Sequence, residues 1–268
     1  MKRLQQTFDR CRQQKRAALV GYMCAGHPSQ QLTLPVLDEM VASGVDIIEI
    51  GVPFSDPMAD GPVIQRASEQ AIDNGMNMQG VLAVAKQFRA VHPDVPVVLM
   101  GYLNPLLRFG TQRFIETATA SGVDGVLLVD LPVEEGRELR LSLQQAQIAP
   151  IMLVAPTTGV TRVAQVVDSA AGFVYFISVK GITGSGRLDV DDVQSRVEQL
   201  KDTTGLPVAV GFGVSTPEQA GALAQVADGV VVGSALVAAI DGAGTEVDAR
   251  AAVRATMKPL ADALGKVH

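Results

Sequence analysis

Two carboxylates stand out in the stretch DIIEIGVPFSDPMADGP, Asp46 to Pro62. Glu49 sits among isoleucines in IIEIG, and Asp60 follows in a loop rich in Pro, Gly and Asp. Ionised carboxylates are rarely buried without partners, because burial costs several kcal/mol or forces a shifted pKa. Side chains alternate along a strand, so Ile47 and Glu49 share one face and Ile48 and Ile50 the other. If the Ile48 face meets a layer of helices, Glu49 points inward, where an apolar surround raises its pKa toward the range useful for general acid–base work. Taken alone, Glu49 fits equally a structural glutamate paired to a lysine or a hydroxyl. Asp60 alone reads more readily as a turn or cap residue.

Glycine signals a second kind of chemistry. GITGSG (Gly181 to Gly186), GFG (Gly211 to Gly213) and Gly233-Ser234 each follow a short apolar run. Their backbone N–H groups, with a helix N-terminus behind them, would make an anion nest suited to phosphate. The competing explanation is that glycine merely shapes turns there. Metal chemistry has little support. His27, His92 and His268 are the only histidines, and Cys11 and Cys24 have no metal-type spacing. His27 reads as a loop residue. Two cysteines make no disulfide framework and fit a reducing cytosol, so a cytoplasmic location is expected.

Such groups need a scaffold, and the 268-residue chain repeats one. Short apolar runs recur at AALVGYMCAG, DIIEIG, VPVVLMGY, DGVLLVD, APIMLVAP, GFVYFIS, LPVAVGFG and DGVVVGS. Nearly continuous apolar runs of this length are strands buried on both faces. Helical spacing fills the gaps, as in QLTLPVLDEMVASG from Gln31, with Pro35 in a first turn, TQRFIETATASG from Thr111 and VEEGRELRLSLQQA from Val133. In TPEQAGALAQVADG, Thr216 reads as a cap and Pro217 as the first helical residue. One junction is reused: ASGVDIIEI and ASGVDGVLLVD share helix end, glycine and strand start. A strand–helix unit used eight times predicts an α/β fold, a single-domain (β/α)8 TIM barrel over residues 1–268. Residues 1–16 lack a secretory apolar region. They are Arg-rich and amphipathic like a transit peptide, but contain no Ser, and Leu4, Phe8 and Cys11 at helical spacing predict an extra N-terminal helix packed on the barrel.

Composition fits this scaffold. Hydrophobic residues make up 47% of the chain and aromatics 4%, so Ala, Val, Leu and Ile must build the core. A formal charge of −6, with no basic patch interleaved with aromatics, argues against nucleic acid. No apolar run approaches the ~20 residues of a membrane span. In barrels of this kind the chemistry sits on the loops after the strands, which is where Glu49, Asp60 and the glycine clusters fall.

IEIGVPFSDPMADGPVIQRA resembles the signature segment of the tryptophan synthase alpha subunit family. The resemblance continues through AGHP, MGYLNP, DGVLLVDLP, YFISVKGITGSG, VGFGVS and DGVVVGSA, in order, along nearly the whole chain. It implies a lyase of tryptophan biosynthesis that cleaves indole-3-glycerol phosphate to indole and glyceraldehyde 3-phosphate. It also implies a tryptophan synthase beta subunit that takes the indole in an α2β2 tetramer. Pyridoxal phosphate would belong to that partner, and this chain would need no cofactor and no metal. By matched position, the resemblance implies Glu49 and Asp60 as catalytic acids. It implies Tyr102, Tyr175 and Thr183 as substrate-binding, with Tyr102 lining the indole pocket, and Gly184, Gly213, Gly233 and Ser234 as phosphate-binding. His27 stands where the family often has Asp, and Lys180 falls at a variable position. A Schiff-base aldolase using Lys180 is the rival enzyme, although Lys180 lies beyond the apolar run where desolvation is weak. A non-catalytic subunit that only activates its partner is the other alternative, and the presence of both acids argues against it.

Overall fold

Eight parallel strands pair in chain order, and the first also pairs with the last, so the sheet closes into a barrel. They are β1 (Ala18–Cys24), β2 (Ile47–Gly51), β3 (Val97–Gly101), β4 (Gly125–Leu128), β5 (Ala149–Val154), β6 (Val174–Ile177), β7 (Val208–Gly211) and β8 (Gly229–Val232). This computed structural model describes residues 1–159, 162–163, 165, 170–177, 190–211 and 213–265, without the side chains of 190–192. Among them the helices are α1 (Lys2–Gln13), α2 (Gln30–Ala42), α3 (Pro62–Asp73), α4 (Met78–Val91), α5 (Leu103–Phe109) and α6 (Thr111–Ala120). They continue as α7 (Arg137–Gln145), α8 (Val190–Thr204), α9 (Pro217–Val226), α10 (Ser234–Ile240) and α11 (Glu246–Asp262).

Strand alternation divides the core in two. Ala18, Val20, Ile47, Val98, Leu127, Ala149, Ile151, Ala209 and Val231 face inward and pack with Leu4, Phe8 and Cys11 of α1. Leu19, Ile48, Ile50, Val97, Leu99, Val208, Val210, Val230 and Val232 face outward into the helix layer. The N-terminal helix therefore closes the bottom of the barrel, with the Phe8 ring 5.7 Å from that of Phe173.

The repeated junction has a physical basis. Gly44 and Gly122 take φ of +99° and +74°, the left-handed region that ends a helix and favours glycine. The aspartate two residues later, and Asp228 at the glycine-free junction before β8, reach back to the start of the preceding strand. Asp46 accepts the Leu19 N–H at 2.9 Å, Asp124 the Val97 N–H at 3.0 Å, and Asp228 the Val208 N–H at 3.0 Å. Each also holds a cation: Arg16 at 2.6 Å, Arg89 at 2.7 Å and Lys201 at 3.2 Å. Two helix boundaries differ from the sequence reading. Ser29 caps α2 by accepting the Leu32 N–H at 3.3 Å, so the helix begins early and Pro35 lies inside it, past the first turn. Helix α7 begins at Arg137, because residues 133–136 fold as a turn with the Gly136 N–H on the Pro132 carbonyl at 3.1 Å. Thr216 caps α9 as expected, and Gln219 completes a reciprocal capping box.

Candidate active site

At the C-terminal mouth of the barrel lies a cavity of about 410 Å³ with three kinds of wall. Glu49 and Asp60 form the acidic wall. Ile64, Met100, Val129, Leu153 and Ile177 form the apolar wall, and Gly213, Gly233 and Ser234 the glycine-rich one. The size suits a small organic ligand.

Glu49 is held by the middle of β2, with Ile48 and Ile50 turned into the helix layer. It is 1% exposed, and its Oε1 has no hydrogen-bond partner among the described residues. Burial, with the nearby charge of Asp60 adding to it, pushes its carboxyl up to about 8. A protonated acid is thus stored at the cavity floor at neutral pH. Among the described residues no lysine or hydroxyl satisfies the buried oxygen, which disfavours a purely structural glutamate.

Asp60 is half-buried at the end of the loop after β2. Its Oδ2 accepts the Tyr102 hydroxyl at 2.9 Å, and that hydroxyl oxygen accepts the Ala59 N–H at 3.1 Å. Burial raises the Asp60 carboxyl, and the Tyr102 hydrogen bond opposes the shift. The loop is clamped from α3. Ser68 Oγ accepts the Phe54 N–H at 2.7 Å and donates to the Phe54 carbonyl at 2.9 Å, while Gln65 donates to the Asp60 carbonyl at 2.9 Å. Tyr102 stands behind Asp60, 4% exposed, with its ring 5.2 Å from that of Phe54. Its hydroxyl supports the acid from behind, beside the cavity wall formed by Ala59 and Asp60.

Tyr175 reaches the cavity from β6. A side chain at Gly211 would come within 2.6 Å of its hydroxyl, so Gly211 makes room for this phenol. One glycine of the GFG cluster therefore acts by its missing side chain. Gly213, at φ +69°, and Gly233-Ser234, at the start of α10, face the cavity itself. Thr183, Gly184, Lys180 and Phe212 lie outside the described residues. His27 is 2% exposed and tied between α3 and α10, with Nδ1 2.8 Å from Gln70 Oε1 and Nε2 3.4 Å from the Val237 carbonyl. No group of three or more His, Cys, Asp or Glu side chains able to hold a metal occurs among the described residues.

Sequence reading missed Tyr22, which lines the cavity from β1 in register with Glu49. The signal was present: Ala18 and Val20 alternate inward, and Tyr22 is next on that face. The arrangement can transfer a proton to or from a ligand with an apolar ring at one end and an anion at the other.

Comparisons with known proteins point the same way. The family model described as tryptophan synthase alpha chain matches residues 8–264. The chain is 49% identical over 264 residues to a tryptophan synthase alpha chain of Erythrobacter litoralis, covering 98% of each protein. It is 47% identical to one from an Azoarcus species, covering 90% of this chain and 89% of that one. Among solved structures, the alpha chain from Legionella pneumophila superposes with a TM-score of 0.89 at 36% identity, covering 98% of this chain and 97% of that one. A tryptophan synthase chain from Mycobacterium tuberculosis does so with 0.88 at 35% identity, covering 99% of each.

Proposed function

We propose the roles of individual residues from one premise: the chain belongs to the tryptophan synthase alpha chain family. It is a lyase that cleaves indole-3-glycerol phosphate to indole and glyceraldehyde 3-phosphate, and it pairs with a beta chain that uses the indole to make L-tryptophan.

The cleavage is a retro-aldol reaction, and one proton on Glu49 can circulate through it. The carboxylic acid gives its proton to indole C3. The resulting carboxylate takes the proton of the glycerol hydroxyl next to the scissile bond. The carbon–carbon bond then breaks, its electrons return to the indole ring, and the aldehyde leaves. While C3 is protonated the indole nitrogen carries positive charge, and Asp60, fixed by Tyr102, accepts its N–H. Two carboxyls in unlike surroundings serve these two roles, one titrating near neutrality and one partly solvated. The substrate phosphate is assigned to the backbone of Gly213 and Gly233 with Ser234, and to Gly184. Tyr175 and Thr183 are assigned to the substrate chain.

The observation that carries this reading is the buried oxygen of Glu49, without a partner among the described residues, facing the same cavity as Asp60. No cofactor is assigned to this chain. Pyridoxal phosphate is assigned to the beta partner, in an α2β2 assembly. Among the described residues no helix is long and apolar enough to cross a membrane, and a cytoplasmic location is proposed. Indole release from indole-3-glycerol phosphate, measured with and without a beta subunit, tests the reading. Glu49→Gln or Asp60→Asn is expected to lower turnover by roughly 10²- to 10⁴-fold with the fold retained. Near-wild-type turnover in either variant removes that residue from the chemistry.

A further inference from the structure

Tyr22 has no role in the chemistry above, yet it is 7% exposed and lines the same cavity. Its placement is specific. A side chain at Gly233, on the β8 side, would lie 3.4 Å from Tyr22 Cβ and Cδ1. A side chain at Gly51, at the end of β2, would overlap the Tyr22 hydroxyl and lie 2.7 Å from its Cζ. The ring therefore starts beside the phosphate-assigned glycine and ends over β2, two residues beyond Glu49.

Going around the barrel mouth, Gly233 lies just after β8, Tyr22 on β1 and Glu49 on β2, with Asp60 on the loop after β2. A ligand with its phosphate at Gly233 and its indole N–H at Asp60 must lay the intervening chain across β1. In indole-3-glycerol phosphate that chain carries two hydroxyls, and Tyr22, whose hydroxyl lies over Gly51, is the residue that β1 contributes to the cavity wall. We infer that Tyr22 is a substrate-positioning residue whose hydroxyl donates to a glycerol hydroxyl and aims the scissile bond at Glu49. The inference rests on the reading given above. Burial holds the phenol far above its ordinary pKa, so it remains a donor wherever the enzyme works. A site built to hydrogen-bond a substrate hydroxyl also discriminates against ligands that lack it.

Tyr22→Phe removes one oxygen and leaves the ring between its two glycines. Two ligands separate positioning from packing: indole-3-glycerol phosphate, and the indolylpropyl phosphate that lacks both glycerol hydroxyls. Steady-state cleavage is measured for the first and calorimetric affinity for the second, with circular dichroism as the check on folding. The expected result is a loss of about 3- to 10-fold in kcat/KM for the glycerol substrate, the effect of one neutral hydrogen bond. Affinity for the propyl ligand is expected to stay at the wild-type value. An equal loss for both ligands would overturn the proposal, because the residue would then only pack. So would no loss for either, because the hydroxyl would then touch nothing on the substrate. If instead the wild-type protein failed to cleave indole-3-glycerol phosphate, the functional reading itself would fall, a result distinct from either outcome of the variant.

Discussion

Glu49 makes the protein less stable in order to be reactive, and pH exposes the cost. Its folded carboxyl titrates near 8, above an unfolded value of 4.5. Between these values the unfolded chain sheds the proton and the folded one keeps it, so stability falls as pH rises through that window. Glu49→Gln removes this dependence. Urea unfolding is expected to give equal stabilities for variant and wild type at pH 4. Above pH 8 the variant should be the more stable by an amount on the order of a few kcal/mol. A gap that does not widen across this window would show that the carboxyl is not held protonated. The same titration should appear in catalysis. kcat/KM is expected to fall above pH 8 as Glu49 loses its proton, and to fall again in acid as Asp60 gains one. Glu49 was legible in the sequence because strand alternation is a local rule: once Ile48 and Ile50 face the helices, its direction follows. The support of Asp60 was not. The Tyr102 hydroxyl reaches it across 42 residues of chain, and no local pattern encodes that meeting.

The strand–helix unit was legible through its glycines, because a left-handed helix end leaves a residue-type signature at a regular place. The aspartate of the same motif was visible as a repeat, but its work was not. Asp46 and Asp124 each lie 27 residues after the strand N–H they accept, and that pairing exists only once neighbouring strands align. These carboxylates lie at the strand-start end of the barrel, away from the chemistry, where a barrel's buried polar groups serve stability. Asp124 ties three elements together. It is 2% exposed and holds Arg89 at 2.7 Å, Arg3 of α1 at 2.9 Å and the Val97 N–H at 3.0 Å. Asp124→Ala leaves the Arg89 charge with neutral backbone carbonyls alone, orphans a buried backbone donor and loosens the helix that closes the barrel floor. Destabilisation of about 3–5 kcal/mol is expected in denaturant unfolding. Turnover per folded molecule should be unchanged. A large fall in kcat without loss of stability would mean that this end of the barrel communicates with the mouth.

Exposed apolar side chains near the mouth bear on how the whole molecule meets its partner. YLNPLLRFG follows β3, and the sequence alone gives Leu106, Leu107 and Phe109 no periodic reason to be buried. Folding separates them. Leu106 is fully buried in the core, and Phe109 is half-buried beneath Arg113, whose guanidinium lies 4.3 Å from the ring centre. Leu107 remains 54% exposed, and Met58, on the loop that carries Asp60, is 85% exposed. A contiguous apolar patch left in water beside an active site often marks a protein interface, and indole is an apolar product that an open barrel would release to solvent. The two exposed residues are also mechanically joined to the acid. Helix α5, which carries Leu107, begins directly after Tyr102, and the Tyr102 hydroxyl holds both Asp60 and the Ala59 N–H next to Met58. Pressure on α5 and on the loop therefore converges on one hydrogen bond, 2.9 Å long, that orients Asp60. A cognate beta subunit docked on this face is expected to raise cleavage at least several-fold by tightening that bond. Leu107→Asp should weaken both association and activation, measured by titrating the beta subunit against indole release, and leave the slow activity of the isolated chain unchanged. If the substitution alters basal cleavage while association stays intact, Leu107 belongs to the barrel's own packing and the partner docks elsewhere.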